Sequence, residues 1–142
     1  MEVKMSEFNA INGNIEAVYH MAAKKLGLSD TELNVMYILC DVGEGCPQSA
    51  LYKKSGMGKS TVNSAVKKME REGIIELKSG GGRDTFVYFT DKGRNKASET
   101  VEKLIEIENE VYDVWSVEEK KQFMELNSQF MERMQAAVLN RL

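Results

Sequence analysis

Gly58-Lys59-Ser60-Thr61-Val62-Asn63-Ser64-Ala65-Val66-Lys67-Lys68-Met69-Glu70-Arg71-Glu72-Gly73-Ile74-Ile75 is the stretch on which the reading of this chain turns. Val62, Ala65, Val66 and Met69 recur at helical spacing and predict a buried stripe. The other face carries Lys59, Ser60, Asn63, Ser64, Lys67 and Lys68, and Gly73 is placed to end the helix in a left-handed turn. Before it, Gly56-Met57-Gly58 predicts a tight turn, preceded by a short helix from about Gln48 to Ser55 with Leu51 as its inward anchor. After it, the period changes. Ile74–Lys78 and Thr85–Phe89 are rich in β-branched and aromatic residues and read as strands, joined by the Gly-rich segment Ser79–Asp84. Such a pair is too small to stand alone and must pack on the helices. The central order is therefore helix, turn, helix, strand, Gly-rich loop, strand.

The flanks are helical. Phe8, Ile11, Ile15, Val18, Ala22 and Leu26 step by three and four, and Gly27 ends that helix. In Leu28-Ser29-Asp30-Thr31-Glu32-Leu33, Ser29 can cap the next helix, Glu32 can reach back to it, and Leu28 can pack on Leu33. That helix runs on through Val35, Met36, Ile38 and Leu39 to about Asp41. Thr90-Asp91 caps a long helix whose stripe is Ala97, Val101, Leu104, Glu108, Val111 and Trp115. Ser116-Val117-Glu118-Glu119 is a second capping box. It opens a last helix with Phe123, Leu126, Phe130, Met134 and Val138 on one side.

Composition narrows the function classes. The chain has 142 residues, with 19 Lys+Arg against 22 Asp+Glu. No apolar run is long enough to span a membrane, and the first residues are unlike a signal peptide. Two cysteines are too few for a disulfide framework, so a reducing, cytoplasmic setting is expected. A single histidine, His20, excludes a multi-histidine metal site; neither a metal nor a cofactor is expected. The net charge of −3 conceals a basic segment. From Gln48 to Arg83 there are eight cations against three acids, a net of +5, which leaves −8 for the remainder. No acid interrupts Lys53–Lys68. Confining positive charge to one segment of an acidic chain suits contact with a polyanion.

These readings converge on a mainly α fold with a small β-hairpin wing (α+β). It is a winged helix-turn-helix flanked by N- and C-terminal dimerisation helices. The helix after the turn is expected in the major groove of double-stranded DNA. Ser60, Thr61, Asn63 and Ser64 should reach base edges or nearby phosphates. Lys59, Lys67 and Lys68 should hold phosphates, Ser49 should touch the backbone from the preceding helix, and Arg83 should reach out from the wing. The single domain, 1–142, divides into dimerisation helices at 1–27 and 98–142 and a DNA-binding lobe at 28–97. A two-fold homodimer would present two such helices to a pseudo-palindromic operator.

The sequence also resembles the MarR-type transcriptional regulators along nearly its whole length. Leu28–Met36 is similar to that family's second helix, and Gln48–Leu51 with Gly58–Ile75 resembles its helix-turn-helix. Phe89-Thr90-Asp91-Lys92-Gly93-Arg94 resembles its exit from the wing. The resemblance implies an obligate dimer that represses genes and is often released by a small-molecule effector. It also marks a departure: members commonly carry an Asp-x-Arg pair in the wing. Arg83 holds the Arg position here, but Gly81 stands where the Asp would be.

Other readings compete. Gly58-Lys59-Ser60 invites a nucleotide-binding loop, yet Lys53 stands where the motif needs its first Gly, and no strand precedes it. A hydrolase using His20 would need partners the chain does not suggest. A winged helix used for protein–protein contact without DNA is the alternative to a regulator. Cys40 and Cys46 are candidates for a redox switch, with no strong activating cation adjacent in sequence; Cys40, on an apolar run, reads as core, and Cys46, beside Pro47, as the more exposed thiol. Tyr19, His20, Tyr37 and Tyr112 could line an effector pocket, though ordinary packing explains each as well.

Overall fold

A computed structural model of the chain describes residues 1–80, 82 and 84–142. The described residues form seven helices and one small sheet. In chain order these are α1 (Met5–Leu26), α2 (Asp30–Val42), β1 (Cys46–Pro47), α3 (Gln48–Ser55), α4 (Lys59–Arg71), β2 (Ile75–Ser79), β3 (Thr85–Phe89), α5 (Asp91–Glu99), α6 (Val101–Tyr112) and α7 (Val117–Arg141). The chain divides into two compact units, Met1–Ile105 and Glu106–Leu142. The winged helix-turn-helix is as expected, with one addition: the sheet has three strands in the order β1-β3-β2. Strand β1 is two residues long and pairs Cys46 with Val87 and Pro47 with Phe86. So short a segment carries no period of its own and exists only because β3 offers it an edge.

The core of the first unit joins α2, α3, α4 and the sheet. Val35, Met36, Leu51, Val62, Val66, Met69, Ile75 and Val87 are all sealed from solvent. Leu51 is the inward anchor of α3, and truncating so buried a side chain costs about 2–5 kcal/mol. Helix ends follow local chemistry. At the end of α4 the Gly73 N–H reaches the Glu70 carbonyl and the Ile74 N–H the Met69 carbonyl, which satisfies the last turn around a left-handed Gly73. Gly27 closes α1 in the same way, with the Leu28 N–H on the Ala23 carbonyl. Thr90 caps α5 by accepting from the Gly93 N–H at 3.0 Å, while its own hydroxyl donates to the Gly73 carbonyl at 2.5 Å. One threonine thus ties the start of α5 to the end of α4.

Two expectations fail locally. The helix after Thr90 does not run unbroken to Trp115. Thr100 leaves helical geometry, with its hydroxyl donating to the Lys96 carbonyl at 2.6 Å, and α6 begins at Val101. A β-branched residue whose hydroxyl bonds the preceding turn favours such a break. The second failure is at Glu32. Ser29 caps α2 by accepting from the Glu32 N–H at 3.1 Å, but the Glu32 carboxylate does not return to Ser29. It turns inward, only 8% exposed, toward Lys68 and Lys96. A paired, charge-assisted contact outweighs a single backbone bond at the cap.

In the second unit the Ser116 box forms as expected. Ser116 Oγ accepts from the Glu119 N–H, and the Glu119 carboxylate accepts from the Ser116 N–H at 2.8 Å. That backbone bond, with the hydroxyl's help, holds the Glu119 carboxyl below the usual carboxylate range. Trp115 packs edge-on against Phe123 at 5.0 Å and near Tyr112 at 5.6 Å, and Lys120 lies over the Tyr112 ring at 4.7 Å. Along α7, Phe123, Leu126, Phe130, Met134 and Val138 are exposed. So, in the first unit, are Ile11, Ile15, Val18 and Met21 of α1. Among the described residues, no helix is long and apolar enough to cross a membrane.

Candidate nucleic-acid interface

The turn between α3 and α4 sets the site. Gly56 takes a left-handed conformation that ends α3, and Gly58 stands in extended geometry at the start of α4. Gly58 has no side chain to cap the helix, so the first-turn N–H groups of α4 remain open to an anion. Val62, Val66 and Met69 bury the inner face. That burial fixes what points out. Ser60, Ser64, Lys67 and Arg71, spaced by four, three and four, form the exposed stripe opposite the core. Thr61 lies beside them, also exposed. The stripe carries hydroxyls and cations and no carboxylate.

The remaining predicted residues occupy the edges. Lys59 is exposed, with its ammonium 5.7 Å from the centre of the Tyr52 ring, within cation–π range. Asn63 is half-buried at one edge, where its side-chain oxygen accepts from Gln48 Nε2 of α3 at 3.0 Å. Ser49, in the first turn of α3, is half-buried. Lys68 is at the opposite edge, 3.5 Å from Glu32 and 3.7 Å from Glu72. The structure therefore brings Lys59, Ser60, Thr61, Ser64 and Lys67 onto one accessible surface and gives Asn63 and Lys68 partners within the protein. Arg83, and Gly81 at the position of the missing wing Asp, lie outside the described residues. The hairpin that carries them is closed by the Gly80 N–H on the Asp84 carbonyl at 3.1 Å. On β2, Lys78 stacks over Tyr88 at 4.7 Å and pairs with Glu76 at 3.6 Å.

Sequence reasoning missed two members of this surface. Arg71 reads in the sequence only as part of the basic segment, although its distance of eleven residues from Ser60 returns it to the same stripe. Gln48 carries no signal of its own, because its role depends on Asn63 arriving from another helix.

Elsewhere the chemistry is quiet. What precedes Gly58-Lys59 is helix α3, not the strand that a nucleotide-binding loop requires. Among the described residues no group of His, Cys, Asp or Glu could hold a metal ion. The cysteines exchange their expected places: Cys46 is fully buried and Cys40 is partly exposed. Strand β1 is the cause, since pairing with Val87 draws Cys46 into the core. Burial, with a smaller push from Glu102, moves the Cys40 thiol up to about 11. Burial also raises Cys46 against the opposing charge of Lys54. Neither is an activated thiolate. His20 is bound to Asp30 at 2.8 Å, which links α1 to the start of α2, and Tyr112 sits in the Trp115 cluster. Tyr19 and Tyr37 are half-buried.

Residues 26–83 match the sequence pattern of the MarR family. No curated protein matches the chain by sequence. Among solved structures, the chain is similar to a MarR family regulator from Neisseria meningitidis, at 18% identity over 99% of this chain and 100% of that one, with a TM-score of 0.86. It is similar to the transcription regulator MarR from Oenococcus oeni at 16% identity, over 91% and 99% of the two chains, with a TM-score of 0.73. A third similar chain is that of the S. aureus MepR–DNA complex, at 15% identity over 94% and 99%, with a TM-score of 0.68.

Proposed function

We propose that this chain, which bears the MarR-family pattern at residues 26–83 within the fold of MarR-family regulators, is a sequence-specific DNA-binding transcriptional regulator of that type. It acts as a homodimeric repressor in the cytoplasm and is released by a small-molecule effector. The observation that carries the reading is the outer stripe of α4: Ser60, Ser64, Lys67 and Arg71, exposed and free of acids. An α-helix with its side chains is about 10–12 Å across, and the major groove of B-form DNA is about 12 Å wide. Ser60, Thr61 and Ser64 then face base edges or phosphates, and Lys59, Lys67 and Arg71 face phosphates. Ser49 supports from α3, and Arg83 is assigned to the wing contact.

The dimer follows from unburied apolar surface. The stripes of α1 and α7 are each too long to be left in water. A second copy supplies matching stripes and sets two α4 helices for half-sites about 34–36 Å apart. Two similar solved structures support the DNA and effector parts of the reading: one was captured on DNA, and another, an organohalide-sensing regulator, with 2,4-dichlorophenol bound.

The test is selection of bound sequences from a random duplex library, followed by a salt titration on the winning site. A shared, two-fold motif with strongly salt-dependent affinity is expected. Lys67→Ala should weaken binding to all duplexes and reduce the salt slope by about 0.9 for each helix engaged. No salt-dependent binding to any duplex would instead mark a protein-contact module.

A further inference from the structure

Lys67 and Lys68 are neighbours in sequence with different surroundings. Lys67 is exposed and, among the described residues, makes no ion pair. The Lys68 ammonium sits between two carboxylates, Glu32 Oε1 at 3.5 Å and Glu72 Oε1 at 3.7 Å. Glu32 is the only charged residue in the described core, and its second oxygen lies 4.0 Å from Lys96 of α5. Glu32, Glu72, Lys68 and Lys96 together carry no net charge, so this edge of α4 adds nothing to the basic field. Releasing Lys68 to a phosphate would leave a nearly buried carboxylate with one distant partner. Stranding a buried charge in this way costs more than an exposed lysine–phosphate contact returns.

We propose that Glu32 withholds Lys68 from DNA and acts as a positioning residue for α4, pinning its edge to α2 and α5. Phosphate contact is left to the outer stripe. This inference rests on the DNA-binding reading above and divides the cations of α4 into two sets. Removing the charge of Glu32 with its shape kept frees Lys68 to become a phosphate ligand.

The test is fluorescence anisotropy on a labelled random-sequence 30-base-pair duplex between 50 and 200 mM KCl, with each variant's fold checked by circular dichroism. Glu32→Gln is expected to bind more tightly at low salt and to steepen the salt slope by about 0.9 per helix engaged, roughly a 3.5-fold greater loss across that range. Lys68→Ala is expected to keep the parent slope, and Glu32→Gln combined with Lys68→Ala to return to it. Lys67→Ala reports on the DNA reading alone and should flatten the slope. A flattened slope in Lys68→Ala, or an unchanged one in folded Glu32→Gln, overturns the proposal while Lys67→Ala keeps the DNA reading intact. If the parent shows no salt-dependent binding, both fall. Should Glu32→Gln fail to fold, the Lys68→Ala slope decides by itself.

Discussion

Gln48 of α3 donates its side-chain N–H to the side-chain oxygen of Asn63 on α4 at 3.0 Å. An amide reads adenine with its oxygen and nitrogen together, so an Asn whose oxygen is turned to a neighbour offers mainly its N–H₂ group. Asn63 is therefore expected to favour an acceptor edge, guanine or thymine, at its operator position. Asn63→Ala should erase the preference at that position, and Gln48→Ala should move it toward adenine. Library selection with both variants measures this. A uniform loss of affinity at every sequence would show that Asn63 reads no base.

Leu126 and Met134 are exposed on α7, eight residues apart on one stripe. If that stripe closes against a second copy, a carboxylate there meets an apolar surface and is left without a partner. Leu126→Glu with Met134→Glu should give a folded monomer in sedimentation experiments at micromolar concentration, while the parent sediments as a dimer. Operator affinity should fall by several orders of magnitude, because two half-sites no longer act together.

A Cβ built at Gly93 would fall on the carbonyl oxygen of Ile74 and press on the Phe89 ring. The close approach lets Thr90 donate its backbone N–H to the same carbonyl at 3.1 Å. Gly93→Ala should lower stability by about 1–3 kcal/mol, the usual cost of overpacking, in urea unfolding. Parent-like stability would mean that α5 can slide without loss.

The folded Cys40 thiol ionises at about 11, above its ordinary 9.0. At pH 8 roughly one part in a thousand is thiolate, so iodoacetamide should label Cys40 far more slowly in the native protein than in urea. Linkage gives the sign for stability. The raised value contributes stability that is complete below about pH 9 and lost as pH climbs toward 11. Cys40→Ser should lose that part of the alkaline decline, as read from urea midpoints between pH 8 and 11. A peroxide treatment that changes DNA binding of the native protein would contradict this view of both cysteines.

Much of the fold was legible because its signals are local. Val62, Val66 and Met69 repeat at helical spacing, Gly27 and Gly73 end helices where they stand, and Ser116 and Glu119 form their box within one turn. Thr100 shows the limit of that local reading. The stripe from Ala97 to Trp115 continues through it, and the break shows only in its backbone, which leaves helical geometry as its hydroxyl bonds the Lys96 carbonyl. The exposed face of α4 was legible as a set of residue types. Arg71 was recoverable from spacing alone, since it shares the stripe of Ser60 and Lys67.

From the sequence alone came the helices of the core and flanks, the two strands of the hairpin, the tight turn, the basic segment and the apolar terminal stripes, but not β1 or the break at Thr100. Each depends on residues three or four apart, or on composition. Tertiary structure decided which side chains are free. It drew Cys46 into the core through β1, turned Glu32 away from its cap to Lys68 and Lys96, and set Gln48 against Asn63. Lys67 and Lys68 look alike on paper. They differ because a carboxylate 36 positions away in the chain folds against one of them and not the other.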